Sequence, residues 1–138
     1  MFRGRGLVVM VVLALAGAGL LAMTASGART TKPPISAPHA RTMKADIAAA
    51  INAEQKALDN PDSFDASVRS SVTWLQKALN LGRGVRTGGA HFKVYRAMQF
   101  DKDALGSSSF ARNNRERWVR QALGYKREAV ADLAPFLN

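Results

Sequence analysis

The stretch from residue 42 to residue 82 reads TMKADIAAAINAEQKALDNPDSFDASVRSSVTWLQKALNLG and decides the fold. Apolar residues recur every three or four positions on both sides of Pro61, a spacing typical of amphipathic helices. Pro61 ends the first helix because its ring removes a backbone donor and clashes with the preceding turn. Ser63 is a candidate cap for the second helix. We therefore predict two helices, over 42–58 and 64–81, packed as an αα-hairpin.

The apolar positions of this hairpin fall within one arc of each helix at about 100° per residue. They are Met43, Ile47, Ala50, Ile51, Ala57 and Leu58 in the first helix, and Phe64, Val68, Val72, Leu75 and Leu79 in the second.

The beginning of the chain carries the signal for its location. Arg3 and Arg5 precede an uncharged apolar run over 7–23, LVVMVVLALAGAGLLAM. A basic start, an apolar run and small residues at 26–28 describe a secretory signal peptide. A run of this length spans roughly 26 Å as a helix, against about 30 Å of bilayer hydrocarbon, so a retained anchor stays an alternative. We predict that residues 1–28 are a cleaved signal peptide or a single-pass membrane anchor.

Both alternatives place the rest of the chain on the far side of the membrane, because the positive-inside rule keeps the arginines in the cytoplasm. The remaining domain is then membrane-anchored on the exported side, or secreted or periplasmic if the segment is cleaved. Membrane contact through 7–23 is expected if the segment is retained. The sequence RTTKPPISAPHAR over 29–41 contains three prolines and predicts an extended linker. We assign 42–138 to the exported basic helical domain.

The second half of this domain adds a loop and two further helices. Four glycines, Arg83 and Arg86 lie in LGRGVRTGGA over 81–90, which predicts a basic glycine-rich loop. Residues 91–100 fit a strand or a helix, and a helix is favoured because a single strand has no partner here. Apolar spacing predicts a last helix from about residue 110 to residue 133. The fold class is thus all-α, a small bundle of about four helices.

The composition excludes several chemical classes. The chain has no cysteine and two histidines, which excludes disulfides, cysteine-ligated metals and cysteine nucleophiles. No metal site, cofactor or catalytic motif of a hydrolase or metalloprotease is predicted. We expect the protein not to be an enzyme.

A formal charge of +10 makes an anionic ligand one functional hypothesis. Exposed backbone N–H groups beside arginines suit anions, and a basic helix suits nucleic acid or acidic lipid. The candidate anion-binding residues are Arg83, Arg86, Arg112, Arg115, Arg117 and Arg120. Nucleic acid, acidic lipid and acidic cell-wall polymer are the candidate ligands.

Glu54 conflicts with the pattern of its helix, because it lies between Ile51 and Leu58 inside the apolar arc. A charge buried alone is costly. We expect Glu54 to pair with one of the many arginines or to face a partner chain. Trp74 and Trp118 are further interface candidates.

These features give one leading function and two alternatives. The leading hypothesis is a non-enzymatic accessory or structural subunit, or an adaptor, of a cell-envelope or membrane complex, with other protein subunits as partners. The alternative is an exported polyanion-binding module. A haem carrier is a minor alternative, because His91, Tyr95 and Met98 share one helical face and are all residue types that ligate haem iron.

Overall fold

Four amphipathic helices make up most of the described chain. The computed structural model describes residues 31–107 and 112–138. The helices are α1 (Ala37–Asp59), α2 (Phe64–Gly82), α3 (Ala90–Gly106) and α4 (Arg112–Leu133). Short 3₁₀ turns occupy Pro61–Ser63 and Ala134–Phe136. The predicted all-α class with four helices is confirmed for this part of the chain. The predicted signal or anchor segment, 1–28, lies outside the described residues.

The helices run alternately up and down, and each packs against two neighbours. The pairs α1–α2 and α3–α4 make the largest contacts, and α2–α3 and α1–α4 close the ring. At one end, the Arg41 guanidinium donates to the Leu137 carbonyl at 3.0 Å. At the other end, the Arg115 guanidinium donates to the Ala104 carbonyl at 3.0 Å. We call these the loop end, where the 83–89 loop lies, and the turn end, where the Pro61 turn lies.

Helix α1 begins earlier than the sequence predicts. Ser36 caps it by accepting a hydrogen bond from the His39 N–H, and Pro38 occupies the first turn, where a missing N–H costs nothing. The predicted linker over 29–41 is therefore wrong for residues 37–41, which are helical. Its prolines occupy a capping segment and a helix start rather than an extended spacer.

The segment before α1 is held against the 83–89 loop. The Ile35 N–H donates to the Arg86 carbonyl at 3.0 Å, and the Arg86 N–H donates to the Pro33 carbonyl at 2.8 Å. Pro34 and Arg86 form an isolated parallel β-bridge. The Ile35 side chain is buried in the core. The chain thus enters the bundle at the loop end, fixed there by two hydrogen bonds and one apolar side chain.

Residues 91–100 are helical, as favoured from the sequence. Helix α3 begins after Gly89, and the Thr87 hydroxyl caps it by accepting from the His91 N–H at 3.0 Å.

The first helix ends before Pro61, as predicted from the sequence. The Asn60 side chain caps the turn, whereas the Ser63 hydroxyl donates back to the Asn60 carbonyl and makes no cap bond to α2.

Two apolar clusters form the core. The larger one occupies most of the bundle and includes Met43, Ile47, Leu75 and Leu133. The smaller one lies toward the turn end and comprises Ala57, Phe64, Val68, Ala104 and Val119. None of the helices within 31–107 and 112–138 combines the length and hydropathy needed to cross a membrane.

Candidate functional site

Each helix contributes one polar side chain to the centre of the bundle. These four side chains, which we call the buried tetrad, are all 0% exposed: Glu54 of α1, Ser71 of α2, Asp101 of α3 and Lys126 of α4. On the first three helices, the tetrad residue lies between residues of the larger and the smaller apolar cluster. The tetrad is therefore a polar layer between two apolar regions.

The Lys126 ammonium contacts all three of the other members. Its Nζ donates to Ser71 Oγ at 2.6 Å and to Asp101 Oδ2 at 3.0 Å, and it forms an ion pair with Glu54 Oε1. Ser71 Oγ donates to Asp101 Oδ2 at 2.8 Å. An ammonium has three N–H donors. The ammonium thus donates to two of these oxygens and contacts the third, and the three belong to three different helices.

Burial decides the charge of this cluster. Desolvation and, after it, the adjacent Asp101 carboxyl raise the pKa of the Glu54 carboxyl to about 10, against the opposing effect of the Lys126 ammonium. Neither Glu54 oxygen accepts a hydrogen bond of ordinary geometry from another described group, so the contact with Lys126 is an ion-pair contact only. Burial therefore favours the protonated form of Glu54.

The tetrad contains groups that can do chemistry in other settings. A lysine amine beside a serine hydroxyl is one way in which a serine nucleophile is activated. A substrate must reach such a nucleophile, and Ser71 and Lys126 expose no surface. Across 31–107 and 112–138, no three His, Cys, Asp or Glu side chains are placed to share a metal ion. The geometry of the tetrad therefore supports a role in joining the helices.

Glu54 has a different environment from the one that the sequence suggests. Its partner is Lys126 rather than an arginine, and it lies in the core of its own chain. Its interpretation as an interface residue is thus corrected, because a fully buried side chain presents nothing to a second protein.

The sequence reasoning missed the other three members of the tetrad. Asp101 and Lys126 carry the same signal as Glu54, because each lies on the apolar arc of its helix. Lys126 lies three residues after Leu123 and three before Ala129, on the apolar arc of α4.

The candidate anion-binding arginines lie in two separate regions. Arg83 and Arg86 are exposed in the loop at the loop end. The other four lie in the first part of α4, which begins at the turn end. Helix α4 has 22 residues, and a helix of that size is about 33 Å long. The structure therefore does not bring the loop and the α4 arginines into one site.

Two of the α4 arginines are already engaged. Arg112 pairs with Glu116 at 3.1 Å, and Arg115 pairs with Asp65 while its guanidinium stacks 4.4 Å from the Phe64 ring. A cavity of about 190 Å³ at the turn end is lined by Ala57, Pro61, Phe64, Arg112, Arg115 and Glu116. By contrast, Arg117 and Arg120 are exposed and pair with no acidic residue of the described chain.

The two tryptophans are half-buried and pack on the bundle. Trp74 lies against the larger cluster with the Lys77 Nζ 4.2 Å from its ring centre, and Trp118 lies against the smaller cluster.

The residues suggested for haem point in different directions. Met98 is in the core, whereas Tyr95 is exposed and its hydroxyl accepts from Gln99 Nε2 at 2.8 Å.

An apolar patch lies on the outer side of α3. Phe92 is 62% exposed and Tyr95 is 44% exposed, and they are the exposed large hydrophobic residues of the described chain. Residues three apart on a helix are neighbours on its surface. Phe92 and Tyr95 therefore form one aromatic patch, which we call the α3 patch. The sequence reasoning did not identify it, because it placed Tyr95 on a face with core residues.

Comparison with known proteins adds no assignment. No protein-family model matches the chain, and no curated protein and no solved structure matches it.

Proposed function

We propose that this protein is a non-enzymatic helical subunit or adaptor of a membrane or cell-envelope complex, and that the α3 patch is its contact with another protein. The lysine and the serine of the tetrad are buried, where they join the helices. A partner protein would therefore contact residues on the surface of the bundle.

The α3 patch carries this proposal. Aromatic side chains are enriched at protein interfaces, where a few such residues supply most of the binding energy. Exposing one large apolar side chain is ordinary, whereas two adjacent aromatic rings form a surface that a partner can cover. The flanking Arg96, which stacks 5.5 Å from the Phe100 ring, adds a planar cation of the kind found at interfaces.

The test is purification of the full-length chain from its native membranes in a mild detergent. A subunit is expected to leave the membrane in one particle with other chains in fixed stoichiometry. Phe92→Ala with Tyr95→Ala should weaken that association by at least about tenfold, because each interface aromatic contributes about 2 kcal/mol or more.

The matched control is Lys102→Ala with Asp103→Ala, which changes two exposed residues of the same helix without changing the net charge. This control should leave the particle intact. Isolation of the wild-type chain without partners would contradict the proposal. So would an unchanged particle in the aromatic double variant.

A second function is favoured by the exposed pair Arg117 and Arg120. A polyanion-binding module would bind heparin or duplex DNA with an affinity that falls steeply with salt, since each phosphate contact releases counterions. Replacement of both arginines by glutamine should reduce that salt dependence. An unchanged salt dependence would exclude the two residues as the binding site.

A further inference from the structure

The two ends of the bundle differ in charge. Acidic residues collect at the turn end, in the turn itself, at the end of α3 and at the start of α4: Asp59, Asp62, Asp65, Asp103 and Glu116. At least as many basic residues lie at the same end: Lys56, Arg69, Lys102, Arg112, Arg115 and Arg117. Of these, Arg112 and Arg115 pair with acidic residues. The turn end therefore presents charges of both signs.

The loop end is more uniformly basic. Arg41 and Lys44 in the first turns of α1, and Arg83 and Arg86 in the loop, are all exposed. The acidic side chains nearest to this end are Asp132 and Glu128, and both face Lys93, at 2.7 Å and 4.0 Å. No ion pair within the described ranges neutralises the first four cations, and the Arg41 guanidinium instead donates to the Leu137 carbonyl.

The same end receives the N-terminal segment. Residues 33–35 are fixed on Arg86 by two backbone hydrogen bonds. The uncharged apolar run over 7–23 precedes Pro33 by the nine residues 24–32. Nine extended residues reach at most about 30 Å. An anchor at 7–23 would therefore be joined to the loop end by a tether of at most this length.

From this agreement of charge and chain entry we infer that the loop end is a bilayer-contact surface, in which Arg41, Lys44, Arg83 and Arg86 bind the headgroups of anionic lipids. The inference rests on the proposed membrane association and adds the surface and the lipid class. A Lys or Arg close to an anionic membrane raises binding by about fivefold. The α3 patch begins in the first turn of α3, at the same end of the bundle.

Amide hydrogen exchange of the full-length chain in lipid nanodiscs tests this inference. One set of discs contains phosphatidylglycerol and the other contains phosphatidylcholine alone. We expect residues 83–90 to exchange at least about fivefold more slowly in the anionic discs, and the difference to shrink at high salt because surface charges are screened. Arg83→Gln with Arg86→Gln should abolish the difference. Both side chains are exposed, so the fold is retained.

Arg69→Gln with Lys102→Gln is the matched control. It removes the same charge from exposed positions of α2 and α3 and should leave the protection of 83–90 unchanged. Equal exchange in the two kinds of disc would overturn the inference while leaving membrane association intact. Protection of the turn end instead would also overturn it.

Two further outcomes are informative. Protection of 83–90 by a duplex DNA oligonucleotide, without any difference between the discs, would assign the loop to nucleic acid and overturn the lipid contact. A chain that enters neither kind of disc would overturn the proposed membrane association, and the inference with it.

Discussion

Lys126 connects three oxygens that belong to three other helices. Without its ammonium, two buried carboxyl groups and a serine hydroxyl would face one another with no cation between them. Removal of one partner from a buried ion pair costs about 3–5 kcal/mol, because the remaining charge is uncompensated. We expect Lys126→Met to lower the free energy of unfolding by that amount, as measured by urea denaturation.

Lys102→Met is the control for this prediction, since it removes an exposed lysine from α3 and should change the stability by no more than about 0.5 kcal/mol. Adding Glu54→Gln and Asp101→Asn to Lys126→Met should recover most of the loss, because the unpaired charge is then gone. A loss of unfolding free energy below about 1 kcal/mol for Lys126→Met would show that the four tetrad side chains do not depend on one another for stability.

Glu54 makes the stability of the bundle dependent on pH. The pKa of Glu54 is raised in the folded state, mainly by burial, whereas its ordinary value is 4.5. At pH values between the two, the folded state holds one proton more than the unfolded chain. The free energy of unfolding therefore falls as the pH rises, by about 1.4 kcal/mol per pH unit at most.

Glu54→Gln removes this proton but keeps the shape of the side chain. The stability of the variant relative to the wild type should increase steadily from about pH 5 to about pH 9. Parallel thermal or urea denaturation series over this range measure the difference. A constant difference across the range would mean that Glu54 ionises in the folded protein as it does in the unfolded chain.

At the level of elements, the 83–89 loop depends on backbone geometry that favours glycine. Gly88 has φ of +65°, and a Cβ there would lie 3.0 Å from the Asp132 carbonyl oxygen. Gly88→Ala should therefore cost about 1–2 kcal/mol or more, because a left-handed conformation is unfavourable for alanine and the neighbour is backbone. Circular dichroism melting measures this loss.

Gly124→Ala is expected to stabilise the protein, in contrast to Gly88→Ala. Gly124 lies inside α4, and a Cβ there would meet no atom within 4 Å. An alanine in a helix interior is more favourable than glycine by about 0.5–1 kcal/mol. If Gly88→Ala and Gly124→Ala changed the stability equally, the positive φ at residue 88 would not be the reason that glycine is needed there.

The helices could be predicted from the sequence to different degrees. Apolar spacing and Pro61 located α1 and α2, because both signals are local. The start of α1 was placed at residue 42, since the prolines concealed the Ser36 cap. The contact between Pro33–Ile35 and Arg86 could not be predicted, because it joins segments far apart in the sequence. Likewise, Glu54 was identified as anomalous, but its partner depends on how four helices assemble.

For the molecule as a whole, the tetrad connects the two apolar clusters. Trp74 packs on the larger cluster and Trp118 on the smaller, so each tryptophan reports on one of them. We expect Trp74→Phe and Trp118→Phe each to show one denaturation transition, at which tryptophan fluorescence and circular dichroism coincide. An earlier fluorescence transition of Trp118 in the Trp74→Phe variant would show that the smaller cluster unfolds by itself.

The complete burial of one lysine has a consequence for chemical labelling. The lysines at 44, 56, 77 and 102 are exposed to water, whereas Lys126 is sealed inside the bundle. An amine-reactive reagent reaches Lys126 only when the helices separate. The amide formed there is stable to hydrolysis, so the accumulated mass at Lys126 records how often the helices have separated.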